Sequence, residues 1–240
     1  MCGNRTHPAA PNIVQAVLPT HLTERLRAIE VSALCDADKT LPVCDAAIRA
    51  MVHGVRMAGP ALTVTAEDDH LPVFSALAEA EPGEVLVIAT NGGRLAVLGE
   101  LFATEARRRG LAGVVIDGHC RDVHGLRTLG LPVFARGTLP ASGSTVSRAP
   151  LRTPVLCGGV DVTPGDIVFA DDDGVVIAPA AQIEAALELA ETIAAKERAI
   201  LAAIGRGESL HDQTNHAEHV AALDAGRESA LDFTIDVDAR

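Results

Sequence analysis

GEVLVIATNGGRLAVLGELFATEARRRGLAGVVIDGHCRD, residues Gly83 to Asp122, is the stretch that the rest of the chain serves. It reads as a buried strand (Val85-Leu86-Val87-Ile88), a glycine turn (Asn91-Gly92-Gly93) and a helix opening near Ala96 that carries Glu100. A second apolar strand, Val114-Val115-Ile116, ends in the polar run Asp117-Gly118-His119-Cys120-Arg121-Asp122. Two strand ends and one helix start bring free N–H groups, a guanidinium and carboxylates to one place, as in the sites of α/β layers. Such a place suits a small anion.

Working outward, apolar residues at Val14, Val17, Leu18, Leu22, Leu26 and Ile29 predict one or two short helices broken by Pro19, with Thr20 or Thr23 as caps. Val31 to Ala37 predicts a short helix that runs into a loop at Lys39 to Pro42. The Gly59-Pro60 break, followed by alternation, predicts a strand over Ala61 to Thr65, and Leu71 to Ala80 predicts a helix. Beyond Asp122, a short helix over Val123 to Leu129 closes at Gly130, and Pro132 to Ala135 forms the next strand. This strand, helix, strand rhythm marks an α/β layer. Between Gly137 and Val162 short apolar pieces alternate with Pro, Gly, Ser and Thr, which predicts β-rich structure and turns. Ile167 to Ala170 and Val175 to Ala178, joined by Asp172-Asp173-Gly174, predict a hairpin. Asp171 to Asp173 lacks the regular ligand spacing of a calcium loop. Ala180 to Ile204 is the longest helix, with Ile183, Leu187, Ala190, Ile193, Ala194 and Ile200 or Leu201 on its apolar stripe and Gly205 as its stop. Residues 1–12 read as a flexible lead-in, 13–210 as one domain and 211–240 as an acidic extension.

Composition excludes several classes of function. With a net charge of −12 the chain is a poor match for phosphate backbones, and no Trp, no Tyr and five Phe leave few platforms for stacking bases. Nucleic acid is not the expected ligand. Five cysteines without a close CxxC pair fit neither a disulfide framework nor a structural zinc site, which points to a reducing cytoplasm. Met1 to Pro11 contains no apolar leader core, and no run approaches a membrane span. His211, His216 and His219 form a loose cluster in the polar extension, too irregular for a metal motif.

Several pieces, taken in order, carry a resemblance: Leu34-Cys35-Asp36-Ala37, Arg56-Met57-Ala58-Gly59-Pro60-Ala61, Pro82 to Val87, Leu98-Gly99-Glu100-Leu101, Gly113 to Gly118 and Arg121-Asp122. They continue with Pro132 to Ala135, Pro164-Gly165-Asp166 through Asp172-Asp173-Gly174-Val175-Val176, and Lys196-Glu197. Together they resemble the family of regulator of ribonuclease activity A and the class II pyruvate aldolases, typified by 4-hydroxy-4-methyl-2-oxoglutarate (4-carboxy-4-hydroxy-2-oxoadipate) aldolase. The resemblance implies an α/β fold: a single regulator-of-ribonuclease-A-like domain of the swivelling β/β/α, phosphohistidine-domain-like kind, with N-terminal helices and a long C-terminal helix. The family is often labelled a menaquinone methyltransferase, but no strand-linked GxGxxG fingerprint supports that chemistry here.

By the same resemblance, Asp122 holds a divalent metal, Mg2+ or Mn2+, largely through water, and Arg121 contacts the keto oxygen of a small 2-oxo acid. The turn from Asn91 through Gly92, Gly93, Arg94, Leu95, Ala96 and Val97 to Leu98 offers backbone amides to the pyruvyl carboxylate. Glu100, with Glu197 from a neighbouring subunit, handles water near the cleaved bond. The implied assembly is a homotrimer or homohexamer with sites at subunit interfaces. His119, Cys120 and Phe74 depart from the residues relatives carry; they are candidates for specificity and leave open the same scaffold acting on a different enolate or a specialised pathway intermediate. Within the family the ribonuclease regulators lack the aspartate of the Arg-Asp pair, so Arg121-Asp122 favours the aldolase branch over a non-catalytic regulatory binder. Without the resemblance, Arg121-Asp122 reads as a surface pair or helix cap, and Glu100 as a solvated first-turn residue. The aldolase reading also accounts for oxaloacetate decarboxylation, because both reactions leave a pyruvate enolate.

Overall fold

The computed structural model describes residues 20–234. The lead-in over residues 1–12, the apolar positions from Val14 to Pro19 and the end of the acidic extension, residues 235–240, lie outside them. The chain begins with α1 (Thr20–Arg27) and α2 (Val31–Ala37), followed by the short β1 (Arg49–Ala50). Next come β2 (Met57–Thr65), α3 (Leu71–Glu79), β3 (Val85–Ala89), β4 (Ala96–Leu98), α4 (Glu100–Arg108), β5 (Gly113–Cys120), α5 (Val123–Leu129) and β6 (Val133–Thr138). The second half holds β7 (Val155–Cys157), β8 (Val160–Val162), β9 (Ile167–Asp171), β10 (Gly174–Ala178), the long α6 (Ala180–Gly205) and α7 (His216–Asp224).

In the main sheet the strand order is β1-β6-β5-β3-β2-β9-β10, with β4 lying beside the far half of β5. β2, β3, β5 and β6 are parallel, while β1 and β9 run against their neighbours and β9 and β10 form the expected hairpin. Residues 42–50 then strap one edge to the other. Cys44 N donates to Val175 O at 2.8 Å on the β10 side, while Arg49 and Ala50 pair with Ala135 and Phe134 of β6. The sheet is thereby curled nearly into a barrel.

Side chains of alternate residues leave a strand on opposite faces, and here both faces are apolar. Leu86 and Ile88 of β3, with Val114 and Ile116 of β5, face outward under α3 and α4. Val85, Val87 and Val115 face the barrel interior, against Met57, Phe134 and Val168. A third cluster seals α1, α2 and α6 over Phe169 and Val176. On α6 the stripe runs as predicted, with Ile200 buried and Leu201 67% exposed, so Ile200 is its core-facing residue.

Several element boundaries differ from the sequence expectation, among them the end of β6, which runs on past Ala135 to Thr138. No helix opens near Ala96: Ala96 to Leu98 is a strand because Ala96 pairs with His119 and its N–H reaches Ala141 O at 2.9 Å, so α4 starts only at Glu100. β2 begins before the Gly59-Pro60 break, at Met57, since antiparallel pairing with β9 carries the backbone through it. β5 also runs on through the polar residues to Cys120, held there by β4 and by β6. In the extension, residues 211–213 form a 3-10 turn before α7, and Thr214 bridges to Phe233.

Candidate functional site

The site is built where β3, β4 and β5 end. Thr90, next after β3 and 1% exposed, donates its hydroxyl to Asp117 O at 2.5 Å and ties the β3 end to β5. Asn91 and Gly92 then turn left-handed, at φ 51° and 82°. Asp117 has a supporting role: its carboxylate is paired with Arg136 and accepts Gly158 N–H at 2.8 Å. Arg136 also reaches Asp45 Oδ2 at 2.8 Å, so the strap, β5 and β6 are clamped together below the site.

The loop after Gly92 already binds a carboxylate, and it is the chain's own. Asp68 Oδ1 accepts Arg94 N–H at 2.6 Å and Leu95 N–H at 2.7 Å. Gly93 N–H goes to Thr90 O and Ala96 N–H to Ala141 O. Of the amides the sequence offers to a ligand carboxylate, those of Gly93, Arg94, Leu95 and Ala96 are therefore engaged within the chain. Asp69 organises the facing loop: its Oδ2 accepts Ser144 Oγ–H at 2.6 Å and the amides of Val146 and Ser147 at 2.8 and 2.9 Å. Burial acts to raise the Asp69 pKa, but these bonds and one from Leu71 N–H outweigh it and hold the carboxyl well below the usual carboxylate range. Sequence reading passed over Asp68 and Asp69. They sit before α3 like ordinary capping residues, and nothing in their spacing announces partners in loops far along the chain.

Asp122 stands at the N-cap of α5 with a left-handed backbone, φ 59°, yet makes no side-chain bond to that helix. A non-glycine residue held there carries a strain on the order of 1 kcal/mol. Its carboxylate turns instead to α4: Oδ2 accepts Glu100 N–H at 3.2 Å and lies 3.4 Å from Arg121 Nε. Arg121 is fixed through its own backbone, N–H to Leu98 O at 2.9 Å. Two glycines make the approach possible. A Cβ on Gly99 would collide with Asp122 Oδ2 and crowd Arg121, and one on Gly125 would overlap the Glu100 carboxylate. Arg121, Asp122 and Glu100 thus form one half-exposed cluster at the start of α4.

The remaining candidates are distributed otherwise. His119 lies on β5 beside Ala96 and Gly137, and its Nδ1 is buried without a hydrogen-bond partner among the described residues. Cys120 is a core residue, 0% exposed, whose thiol burial pushes up to about 11, so it neither lines the surface nor serves as a nucleophile. Phe74 is 57% exposed on α3 and packs 5.8 Å from Phe102 of α4, the ring that His70 also meets at 5.6 Å. Glu197 is exposed on α6, a helix packed against α2 in the layer with the third core cluster; nothing in a single chain brings it to Glu100. His211 and His216 meet edge to face at 5.0 Å.

Among the described residues no three His, Cys, Asp or Glu side chains converge to cage a metal. Asp122, 41% exposed and next to Glu100, is a donor set of another kind. It suits a hard ion such as Mg2+, which keeps several waters and takes one or two carboxylates, and does not suit zinc.

The sequence matches the RraA-like family, Aldolase/RraA, over residues 31–177. The chain belongs to this family. A protein of Halalkalibacterium halodurans, named as a candidate 4-hydroxy-4-methyl-2-oxoglutarate aldolase, is 35% identical over 177 residues, 73% of this chain and 84% of that protein. Among solved structures, an uncharacterised protein of Pseudomonas syringae superposes with a TM-score of 0.73 at 23% identity, covering 87% of this chain and 98% of the other, and so speaks for the fold alone. The RNA-processing inhibitor RraA of Thermus thermophilis gives 0.59 at 28% identity, over 62% of this RraA-like chain and 92% of the other. No helix among the described residues is long and apolar enough to cross a membrane.

Proposed function

We propose that this RraA-like protein is a divalent-metal-dependent class II aldolase that cleaves a 4-hydroxy-2-oxo acid, such as 4-hydroxy-4-methyl-2-oxoglutarate, to pyruvate. Oxaloacetate decarboxylation follows from the same site. The observation that carries the reading is the Asp122 carboxylate, diverted from its own helix to stand with Arg121 and Glu100. A residue needed only as a cap would bond to α5. The name of the Halalkalibacterium relative supports the same chemistry.

Aldol cleavage places negative charge on the 2-oxo oxygen as the C3–C4 bond breaks, and that charge must be met. Neither lysine suits a Schiff base: Lys39 is exposed and paired with Asp36, and Lys196 lies on α6. Asp122, with Glu100 alongside, would hold Mg2+ or Mn2+, which when bound supplies Lewis-acid polarisation of the 2-oxo acid. Arg121, anchored by its backbone to Leu98, presents a permanent cation to the keto oxygen. Glu100, joined by Glu197 from a second subunit of a trimer or hexamer, orients the water that takes the proton of the C4 hydroxyl.

The test is pyruvate release, coupled to NADH oxidation by lactate dehydrogenase, from 4-hydroxy-4-methyl-2-oxoglutarate and from oxaloacetate. Release should vanish with chelator, return with Mg2+ or Mn2+, and be abolished in Asp122→Ala. Metal-dependent turnover that survives in Asp122→Ala overturns the metal assignment. No release from either substrate by a folded oligomer would leave the non-catalytic binder as the better reading.

A further inference from the structure

At the end of the sheet opposite Arg121 and Asp122, the segments leading into β3, β5 and β6 surround a cleft of about 440 Å3. Its floor is apolar: Leu111 and Leu131 are core residues, each 5% exposed, and Leu129 packs on that core. Its rim carries three guanidinium groups, Arg27 at the end of α1, Arg56 before β2 and Arg107 in the last turn of α4. No aspartate or glutamate among the described residues lines it.

The three arginines are not equivalent. Arg56 is neutralised by an ion pair with Glu30, and its Nη1 donates to Arg27 O at 2.8 Å, so it shapes the wall. Arg107 Nη1 donates to Leu129 O at 2.5 Å, which holds the guanidinium at the rim beside the floor, and it has no ion pair among the described residues. Arg27 has no ion pair among the described residues. Arg27 also borders the adjoining depression that holds Glu30 and Asp171 to Asp173, so Arg107 is the cation that faces the apolar floor away from carboxylates, with Arg27 beside it. Guanidinium groups take carboxylates and sulfonates through paired N–H bonds, while an apolar floor takes the body of the ligand.

We propose that this cleft binds a small organic anion with an apolar body, a carboxylate or sulfonate on an aryl or branched alkyl group. The site lies outside the Asp122 cluster and does not rest on the reaction assigned there. Naphthalene-1-sulfonate is the probe, titrated calorimetrically into the full chain beside its neutral counterpart 1-naphthol and inorganic sulfate. One saturable site is expected for the sulfonate, with 1-naphthol and sulfate each at least about tenfold weaker. Arg27→Gln and Arg107→Gln should each weaken it about tenfold, as loss of a charged hydrogen bond does. Asp122→Ala should leave it unchanged. Absence of saturable binding, undiminished binding in the doubly substituted chain, or sulfate binding as tightly as the sulfonate would each overturn the proposal.

Discussion

Gly99→Ala adds one methyl group where the candidate site is tightest. The backbone of Gly99 is ordinary extended chain, φ −142° and ψ −168°, so alanine meets no conformational objection. Its Cβ, however, would sit 3.0 Å from Arg121 Cγ and 3.2 Å from Arg121 Nε, and closer still to Asp122 Oδ2, inside the 3.0 Å that real Cβ contacts respect. Both side chains are half-exposed and able to swing, so the fold survives and the geometry gives way by roughly an ångström. The Glu100 N–H bond to Asp122 is the main structural loss, about 1 kcal/mol, or a few degrees of melting temperature. Misplacement of reacting groups by that much lowers turnover by about a hundredfold, close to 2.7 kcal/mol of transition-state stabilisation. Pyruvate release coupled to NADH oxidation reads the rate, and Mn2+ binding followed by electron paramagnetic resonance reads the metal site directly. A Gly99→Ala protein with turnover and Mn2+ affinity within threefold of the parent would refute the idea that Arg121 and Asp122 act from the positions described.

Arg152→Ala should cost about 3 kcal/mol, because it strips a bidentate partner, at 2.6 and 3.1 Å, from the buried Glu84; a melting temperature lowered by less than about 2 °C would count against this. Asp69 has a folded pKa below its unfolded value, so its contribution is present above about pH 4 and is lost as the pH falls towards the folded value. The stability gap between the parent and Asp69→Asn in denaturant titrations should therefore narrow below about pH 4, and a gap constant down to pH 2 would contradict that. Cys120→Ala should keep turnover within about threefold and Cys120 should resist alkylation at neutral pH, since the thiol is buried and held near 11; rapid labelling of Cys120 in the folded protein would refute this.

The strands and the long helix are legible in the residues because their burial is two-sided or striped. Val85 to Ile88 and Val114 to Ile116 are unbroken apolar runs, and the α6 stripe keeps helical spacing. Ala96 to Leu98 is less legible. Three apolar residues fit a helix start as well as a strand, and only pairing with His119 and Cys120, which lie on a different element, settles the matter. Arg121, Asp122 and Glu100 are recoverable as a cluster because the strand end and helix start that carry them are local features. Asp68 filling the turn, Asp69 holding the facing loop, and Cys120 facing inward depend on contacts between distant segments, which no periodicity encodes.

The strap over residues 42–50 has a consequence for the order in which the protein can be made. Val43 must wait for Val176 and Arg49 for Ala135, while β2 has no neighbour on one side until β9 has been synthesised. A nascent chain that has reached only Thr138 therefore carries a strand edge and an apolar inner face with nothing to cover them. Such intermediates are prone to associate, and non-local pairing delays their escape. Truncation before β9 should yield aggregate instead of a smaller folded unit, and the ribosome must release nearly all of the sheet before any of it is closed.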